Sequence, residues 1–185
     1  HLIQNAYDLA DSQTPAIVQY YIRPYLINGF KFDFRFYLFI PTLKPFTAFI
    51  YKEGIARFCT QKYRAPTRLT LDDRYAHLTN TAVNVGNSMA QNSDFTRTAS
   101  SVLEQIKSTD KRGAKLWDAI KRAASLTLAS IFAPTVISIL NHNVERRTQA
   151  AKKCISLPKD GMAPLKRYFH LIGIDIIIND ACQPM

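Results

Sequence analysis

The chain has 185 residues, of which 47% are hydrophobic and 11% aromatic, and its formal net charge is +10. This composition excludes an intrinsically disordered chain, because disorder requires low hydrophobicity, and the length is sufficient to bury a real core. The basic excess predicts an acidic partner, such as nucleic acid, an anionic membrane or an acidic protein segment, and does not by itself distinguish among them.

The first predicted strand, residues 16–22, is rich in β-branched and aromatic side chains and is expected to be buried. Pro24 should end it, because proline cannot donate a hydrogen bond to a strand ladder. An Asn-Gly pair at residues 28–29 predicts a tight turn. The turn leads into an alternating strand, residues 30–40, which we expect to stop at Pro41.

The alternating strand has an aromatic face and a charged face. Its aromatic face consists of Phe30, Phe32, Phe34 and Phe36, and its charged face of Lys31, Asp33, Arg35 and Tyr37. Burial of the rings fixes the register, since a slip of one residue would bury the charges instead. The charged row can hold a phosphate, a metal-bridged nucleotide or a charged small molecule. From alternation alone, it can equally be the solvated outer face of an amphipathic strand.

Two further strands and a long loop are predicted next. Residues 46–52 resemble a hairpin partner of the alternating strand, and residues 55–59 form a short strand that carries Arg57. Residues 61–94 predict a loop, and a loop this long in a compact domain is usually functional or disordered. Taken singly, His77 in this loop is expected to be a histidine whose ring nitrogens are hydrogen-bonded within the protein, without a catalytic role. Arg57, taken singly, can form an ordinary surface ion pair with Glu53.

The pattern changes to helical at about residue 95. Two apolar stripes indicate helices, one of Val102, Leu103 and Ile106, the other of Leu116, Ile120, Ala123 and Ala124. The uncharged residues 123–140 predict a buried helix kinked at Pro134, in preference to a membrane span.

The last segments are predicted to be an exposed connection over residues 141–163, a short helix over 164–171 and a strand over 171–178. The order of the elements predicts an α+β domain with a largely antiparallel sheet, or a mixed α/β domain. Asp175 lies among isoleucines in the last strand, and a buried carboxylate there needs a partner. A metal-ligand role and an ion-pair role both remain open for it.

Cys59, Cys154 and Cys182 are scattered and lack metal-ligand spacing. We therefore expect reduced thiols and a cytoplasmic protein. No secretory signal opens the chain. Because the sequence starts at His1 and ends just after an apolar strand, we expect it to be a fragment of a longer protein.

Four ordered motifs make the chain recognisable. It closely resembles the tubulin–tyrosine ligase-like family of ATP-grasp ligases in residues 29–37, 51–58, 77–80 and 171–175, with further similarity at residues 17–24 and 116–120. The resemblance implies a single partial ATP-grasp-like domain over residues 1–185, with a helical insertion, incomplete at both termini.

The resemblance also implies site roles. The adenine of bound ATP would lie along four residues, Gln19, Tyr20, Tyr21 and Ile22. Lys31 would meet nucleotide phosphate, and Asp33 would lie near the ribose and phosphate. Arg35 and Arg57 would hold the acceptor carboxylate or the acyl-phosphate. Thr79 and Asn80 would line the phosphate and metal site, and Asp175 would be a Mg²⁺ ligand.

The activity implied is ATP-dependent ligation of glutamate, glycine or tyrosine to tubulin or a similar acidic protein. A ligase of this kind needs fixed cations and Mg²⁺ around the transferred phosphoryl group. It needs no covalent nucleophile, and none is apparent in the sequence. The expected partners are tubulin or microtubules, through their acidic tails, and a free amino acid, without nucleic acid or membrane. The expected location is the cytoskeleton, in the cytoplasm or in a cilium or flagellum.

Three departures from the family pattern keep an alternative open. Val85 stands where the family usually has a lysine, residues 1–15 supply neither the lysine nor the glycine-rich loop that the family has upstream, and we expect the last Glu and Asn of the metal site beyond Met185. We therefore expect residues 1–185 to be inactive alone. The alternative is a catalytically degenerate, basic microtubule-binding module.

Overall fold

The computed structural model describes residues 3, 17–43, 45–85, 87, 95–132 and 169–185. These belong to two compact units. Unit 1 comprises His1–Arg35, Glu53–Leu116 and Asp175–Met185, and unit 2 comprises Phe36–Lys52 and Trp117–Ile174. Several predictions lie outside the described residues: those for residues 1–14 (residue 3 apart), the kink at Pro134, the connection over residues 141–163, the short helix over residues 164–168 and the state of Cys154. The end of that predicted helix is wrong, because residues 170 and 171 begin the strand His170–Ile177.

The described elements, in chain order, begin with four strands, continue mainly as helices interrupted by one short strand, and end with a strand. They are β1 (Leu26–Ile27), β2 (Phe30–Leu43), β3 (Phe46–Ile50), β4 (Ile55–Phe58), α1 (Arg74–His77), α2 (Thr81–Asn84), β5 (Thr96–Thr98), α3 (Ala99–Thr109), a 3₁₀ helix (Lys111–Lys115), α4 (described over residues 116–132) and β6 (His170–Ile177).

The sheet of unit 1 is antiparallel in each strand pair whose register is defined. β1 pairs with the start of β2, β2 pairs with β4, and β4 pairs with β5. Asn28 and Gly29 have φ values of 53° and 83°, as a two-residue hairpin turn with a right-handed twist requires. The predicted turn and the largely antiparallel sheet are confirmed.

The aromatic face of β2 forms core, as the alternation predicts. Phe32, Phe34 and Phe36 are fully buried, and Phe32 stacks on Phe58 of β4 with ring centroids 5.4 Å apart. In unit 1, α3 packs against β4 and β5 and buries Val102 and Ile106.

Unit 2 is built on the second half of β2, its hairpin partner β3, and α4. Residues four apart on α4 bury one stripe against β2, because i and i+4 lie on the same side of a helix. The buried cluster consists of Leu38, Ile40, Ala124, Leu128 and Phe132, with Ala48, Ile50, Ile172 and Ile174 packed against it. Across the described residues, no helix combines the length and hydrophobicity needed to cross a membrane.

Two strand predictions are wrong. Residues 17–22 form no strand, and residues 17–20 are exposed. A β-rich sequence needs a ladder partner, and no described strand pairs with this segment. β2 does not stop at Pro41 but continues to Leu43, with a shift of register against β3 between Phe39 and Thr42. An irregularity of this kind accommodates a proline, whose missing N–H would break a regular ladder.

The helical prediction from about residue 95 starts too early. Residues 96–98 form β5, and α3 begins at Ala99. Thr96 and Thr98 are β-branched and therefore suit the strand. The predicted loop over residues 61–94 also contains two one-turn helices, α1 and α2.

Gly113 provides a test of the packing between α3 and the 3₁₀ helix. A Cβ atom at this position would lie 2.8 Å from the backbone nitrogen of Lys107 and 2.9 Å from the carbonyl carbon of Ile106. We expect Gly113→Ala to lower the free energy of unfolding by about 1–3 kcal/mol, because backbone has to move. Urea denaturation measures this change. Ala114→Ser, at the exposed neighbouring position, is the control, and equal stability of both variants would contradict the packing.

Candidate functional site

One face of the unit 1 sheet collects charged side chains from three strands. Lys31, Asp33 and Arg35 alternate along the first half of β2, and Arg57 projects from β4, where it is the register partner of Asp33. Asp175 enters from β6, which also pairs with β2. The odd-numbered residues of β2 therefore carry the candidate site, while the even-numbered ones carry the core.

Asp33 and Arg57 form a two-pronged ion pair that is nearly removed from solvent. Arg57 donates from Nε to Asp33 Oδ1 at 2.9 Å and from Nη2 to Asp33 Oδ2. The two side chains are 6% and 11% exposed. The hydrogen bonds to Asp33 hold the pKa of Arg57 above its ordinary value. Glu53 is not the partner of Arg57: its carboxylate accepts from Ser100 instead.

Asp175 extends this pair into a longer series. Arg35 donates to both oxygens of Asp175, at 2.7 Å for Nη2 to Oδ2, and Arg57 Nη2 lies 3.0 Å from Asp175 Oδ1. Hydrogen bonds from Arg35, and to a smaller extent from Arg57, lower the pKa of Asp175. We call the four residues Asp33, Arg57, Asp175 and Arg35 the charge chain. Its solvent-facing end is Arg35–Asp175, with side chains 34% and 46% exposed.

Lys31 occupies a separate buried cluster on the same strand face. Its Nζ donates to the carbonyl oxygen of His77 at 2.7 Å and to Tyr21 Oη at 3.4 Å, and it lies 4.6 Å from the Tyr21 ring centroid. Burial lowers the pKa of Lys31. Lys31 and Asp33 are therefore both buried, so the interpretation of this face as a solvated outer surface is wrong at these two positions.

His77 is a satisfied buried histidine, as expected. Its Nδ1 lies 3.0 Å from Tyr21 Oη and its Nε2 lies 3.1 Å from the carbonyl oxygen of Thr70. Burial lowers the pKa of His77. Both ring nitrogens therefore have partners, and Lys31 contacts the backbone carbonyl of His77, not its ring.

The other residues predicted to bind the nucleotide lie outside the charge chain and the Lys31 cluster, except Tyr21. Gln19 and Tyr20 are exposed in irregular chain, whereas Tyr21 and Ile22 are half-buried. Thr79 is half-buried and Asn80 is exposed, directly before α2.

Asn84 is a structural residue that the sequence analysis missed. Its side chain is buried and makes four hydrogen bonds. Oδ1 accepts from the backbone and hydroxyl of Thr60, and Nδ2 donates to the carbonyl oxygens of Leu78 and Asn80. This amide ties the segment that carries Thr79 to the end of β4. No sequence pattern distinguishes a buried asparagine of this kind from an asparagine in a turn. The one indication is that Asn84 lies four residues after the end of the motif His77-Leu78-Thr79-Asn80.

Asp175 offers one carboxylate to a metal. Mg²⁺ is commonly held by one or two carboxylates together with phosphate oxygens and water, so this donor set fits a metal bridged to a nucleotide. Among the described residues, no group of three or more His, Cys, Asp or Glu side chains is arranged to hold a metal by itself. Cys59 is buried, which raises the pKa of its thiol to about 12 and makes it a poor nucleophile.

Sequence comparisons agree with the ordered motifs. A sequence model of the tubulin-tyrosine ligase family matches residues 1–185. The chain is 30% identical over 187 residues to tubulin polyglutamylase ttll6 of Danio rerio, covering 100% of the chain and 22% of the relative. It is 33% identical to a probable beta-tubulin polyglutamylase of Tetrahymena thermophila (96% of the chain, 14% of the relative) and 32% identical to tubulin polyglutamylase TTLL11 of Mus musculus (92% and 22%).

The chain belongs to the tubulin-tyrosine ligase family, because the family match spans all of it. Its mixture of helices with an antiparallel sheet is consistent with that membership. The chain spans less than a quarter of the length of these three polyglutamylase relatives.

The buried amide of Asn84 provides a stability test. We expect Asn84→Ala to lower the free energy of unfolding by about 1–3 kcal/mol, because it removes the acceptor of the Thr60 N–H and hydroxyl and the side-chain donor to the carbonyl oxygen of Leu78. Urea denaturation is the measurement. The matched control is Asn80→Ala, since the Asn80 side chain is exposed and makes no cap hydrogen bond. We expect it to change stability by less than about 0.5 kcal/mol, and a loss equal to that of Asn84→Ala would contradict the assignment.

Asp175 provides a pH test. Its pKa is lower in the folded protein than the ordinary value of about 3.9. The ionised carboxylate therefore stabilises the fold above about pH 4, and this contribution is lost as the pH falls through the depressed folded value. Because the group is half-exposed, we expect no more than about 1 kcal/mol.

The measurement for Asp175 is the urea midpoint of wild type and Asp175→Asn between about pH 2 and 6. We expect the difference in stability to be largest at the upper end and to shrink on acidification. A difference that is constant across this range would show that the ion pairs of Asp175 do not stabilise the fold.

Proposed function

We propose that this chain carries part of the active site of an ATP- and Mg²⁺-dependent carboxylate–amine ligase that adds an amino acid to tubulin or a similar acidic protein. The observation that carries the proposal is the charge chain, in which two guanidinium groups flank a half-exposed carboxylate on one sheet face. The names of the relatives, which are polyglutamylases, favour glutamate over glycine or tyrosine as the amino acid. A cytoskeletal location and an acidic tubulin tail as acceptor follow from the same names and suit the net charge of +10.

The proposed chemistry has two steps. An oxygen of the acceptor carboxylate attacks the γ-phosphorus of ATP, the bond to the bridging oxygen breaks, and an acyl-phosphate and ADP result. The amine of the incoming amino acid then attacks the acyl carbon, phosphate leaves with the bonding electrons, and the amine loses a proton to solvent or phosphate. Both steps concentrate negative charge on planar or tetrahedral oxygen groups, which guanidinium forks bind well.

Each residue of the site has a proposed role. Arg35 and Arg57 hold the acceptor carboxylate and the acyl-phosphate. Asp175 is the Mg²⁺ ligand, and a metal bound there would neutralise phosphate charge. Lys31 supplies a fixed cation for the nucleotide phosphates, and its buried hydrogen bond to His77 limits its motion.

The nucleotide segments complete the proposal. Gln19, Tyr20, Tyr21 and Ile22 would follow the adenine, and Thr79 and Asn80 would line the phosphate site. We also propose that residues 1–185 form one ATP-grasp-like domain part, with the helical stretch as an insertion, and that they are inactive alone. In support, no group of three or more His, Cys, Asp or Glu side chains in the described part of the chain is arranged to hold a metal.

A second candidate is a catalytically degenerate module that binds microtubules through its basic charge. The residue that favours it is Val85, which is 76% exposed and stands where the family usually has a lysine. An exposed valine cannot supply the cation that a lysine would offer to phosphate.

Incorporation of labelled glutamate into tubulin by the natural full-length protein, with ATP and Mg²⁺, tests the leading proposal. We expect Arg35→Gln and Asp175→Asn each to lower kcat by roughly 10²–10³-fold, because Arg35 supplies a cation to the transferred group and Asp175 would hold the Mg²⁺ that neutralises it. Lys111→Gln, a change at an exposed lysine outside the charge chain, is the control and should retain activity. Microtubule binding by a wild-type protein that incorporates no amino acid would favour the degenerate module instead.

A further inference from the structure

We propose that His77 is a positioning residue that acts through the hydroxyl of Tyr21 and fixes the direction in which Lys31 presents its ammonium group to a nucleotide phosphate. The inference rests on the proposed function, because that proposal makes Lys31 a cation for the phosphates. The other roles in the site stay as proposed: the backbone of Tyr21 remains beside the adenine, and the His77 ring itself contacts no substrate.

The first step of the argument is the fixed position of the His77 ring. His77 is 1% exposed, and the rings of Tyr21 and Tyr63 meet its ring edge-on, with centroids 5.7 and 5.9 Å away and interplanar angles of 89° and 88°. Its Nε2 lies 3.1 Å from the carbonyl oxygen of Thr70. Together these contacts set the plane of the imidazole.

The second step is the location of the ring proton. The carbonyl oxygen of Thr70 can only accept, so Nε2 of His77 is the donor. In the neutral ring Nδ1 is then an acceptor, and the Tyr21 hydroxyl lies 3.0 Å from it. Burial lowers the pKa of His77, which favours this neutral form. Tyr21 therefore donates its hydroxyl hydrogen to His77, and its oxygen is left to accept from another donor.

The third step is the set of partners of Lys31. An ammonium group has three N–H donors. Nζ donates one to the carbonyl oxygen of His77 at 2.7 Å and one to Tyr21 Oη at 3.4 Å. None of the hydrogen bonds found among the described residues uses the third. Because nitrogen is tetrahedral here, two fixed N–H directions determine the remaining one, which can meet a phosphate oxygen.

The consequence of losing the ring acceptor follows from these contacts. The Tyr21 hydroxyl would turn about its C–O bond and no longer present its oxygen to Lys31 in one direction. The ammonium would then pivot about a single hydrogen bond, to the backbone carbonyl of His77. A phosphate would still meet a cation, but one whose free donor has lost its direction, so we expect weaker binding.

Tyr21→Phe removes the hydroxyl and keeps the ring. In the natural full-length protein with Mg²⁺, we expect it to raise the Kd of a non-hydrolysable ATP analogue roughly 5–20-fold, measured by calorimetry, because a hydrogen bond to a charged group is lost. The Kd of adenosine, which has no phosphate, should stay within about twofold, measured by competition. Equal weakening of both ligands would overturn the proposal, because Tyr21 would then act on the adenine.

Tyr25→Phe is the matched control. It also removes a tyrosine hydroxyl that donates across 3.4 Å, in this case to Asp110 Oδ2, outside the Lys31 cluster. We expect it to leave the Kd of the analogue within about twofold of wild type. An unchanged Kd in Tyr21→Phe, or an equal rise in Tyr25→Phe, would contradict the positioning role.

Two substitutions of His77 separate positioning from a purely structural role. His77→Asn places an amide oxygen near the Nδ1 position, so Tyr21 keeps an acceptor, but the side chain is too short to reach Thr70. His77→Gln reaches Thr70 and has no acceptor at the Nδ1 position. We expect the Asn variant to bind the analogue within about threefold of wild type and the Gln variant to bind as weakly as Tyr21→Phe. Equal affinities, or the reverse order, would overturn the proposal.

A double-mutant cycle tests whether His77 acts through Tyr21. With the hydroxyl already removed in Tyr21→Phe, the Nδ1 acceptor has nothing to orient. Adding His77→Gln should therefore raise the Kd of the analogue by less than about twofold more. Independent, multiplicative effects of the two substitutions would show that the ring does not act through the hydroxyl.

Failure of the proposed function is distinguishable from failure of this inference. If wild-type protein binds the ATP analogue but incorporates no amino acid, the ligase assignment fails and the dissociation constants still decide the role of His77. If it binds no nucleotide, crystal structures of wild type and Tyr21→Phe decide it. A Lys31 Nζ that stays in place in the folded variant would overturn the positioning role, and a displaced Nζ would support it.

Discussion

Asp33 and Arg57 lie almost out of contact with water, so each charge depends on the other. Removing one partner of a buried pair costs about 3–5 kcal/mol, because the other charge is left uncompensated, whereas a pair with full hydrogen bonding is acceptable. The register of β2 against β4 brings these two residues opposite each other. The remainder of the charge chain is arranged on this pair, because Asp175 contacts Arg57 and Arg35 in turn contacts Asp175.

Much of the fold of this part of the chain can be predicted from local pattern. Alternation over residues 30–37 identifies the strand that is shared by core and site, since rings at even positions exclude any other register. The Asn-Gly turn, the hairpin partner β3 and the strand that carries Arg57 follow from the same rules. Four ordered motifs then identify the family, and the full-length family match agrees with them.

What the sequence could not provide is pairing over long distances. Residues 17–22 have the composition of a buried strand, yet whether they pair depends on a partner strand that composition does not specify. The ion pair between Arg35 and Asp175 joins residues 140 positions apart. Alternation also cannot show whether the second face of a strand is covered, so it left a ligand site and a solvated surface both open for Lys31 and Asp33, which are buried. The role of Asn84 depends on two separate segments meeting, Thr60 after β4 and residues 78–84.

A structure of the natural full-length protein with ADP, Mg²⁺ and an acylphosphonate mimic of the acyl-phosphate tests the central claim most directly. The claim is that the charge chain is where a carboxylate is activated. We predict that oxygens of the mimic accept hydrogen bonds from Arg35 and Arg57, that the metal lies on Asp175, and that Asp33 keeps its two contacts with Arg57. A mimic bound elsewhere, with the Arg35–Asp175 and Arg57–Asp33 pairs unchanged, would contradict the account.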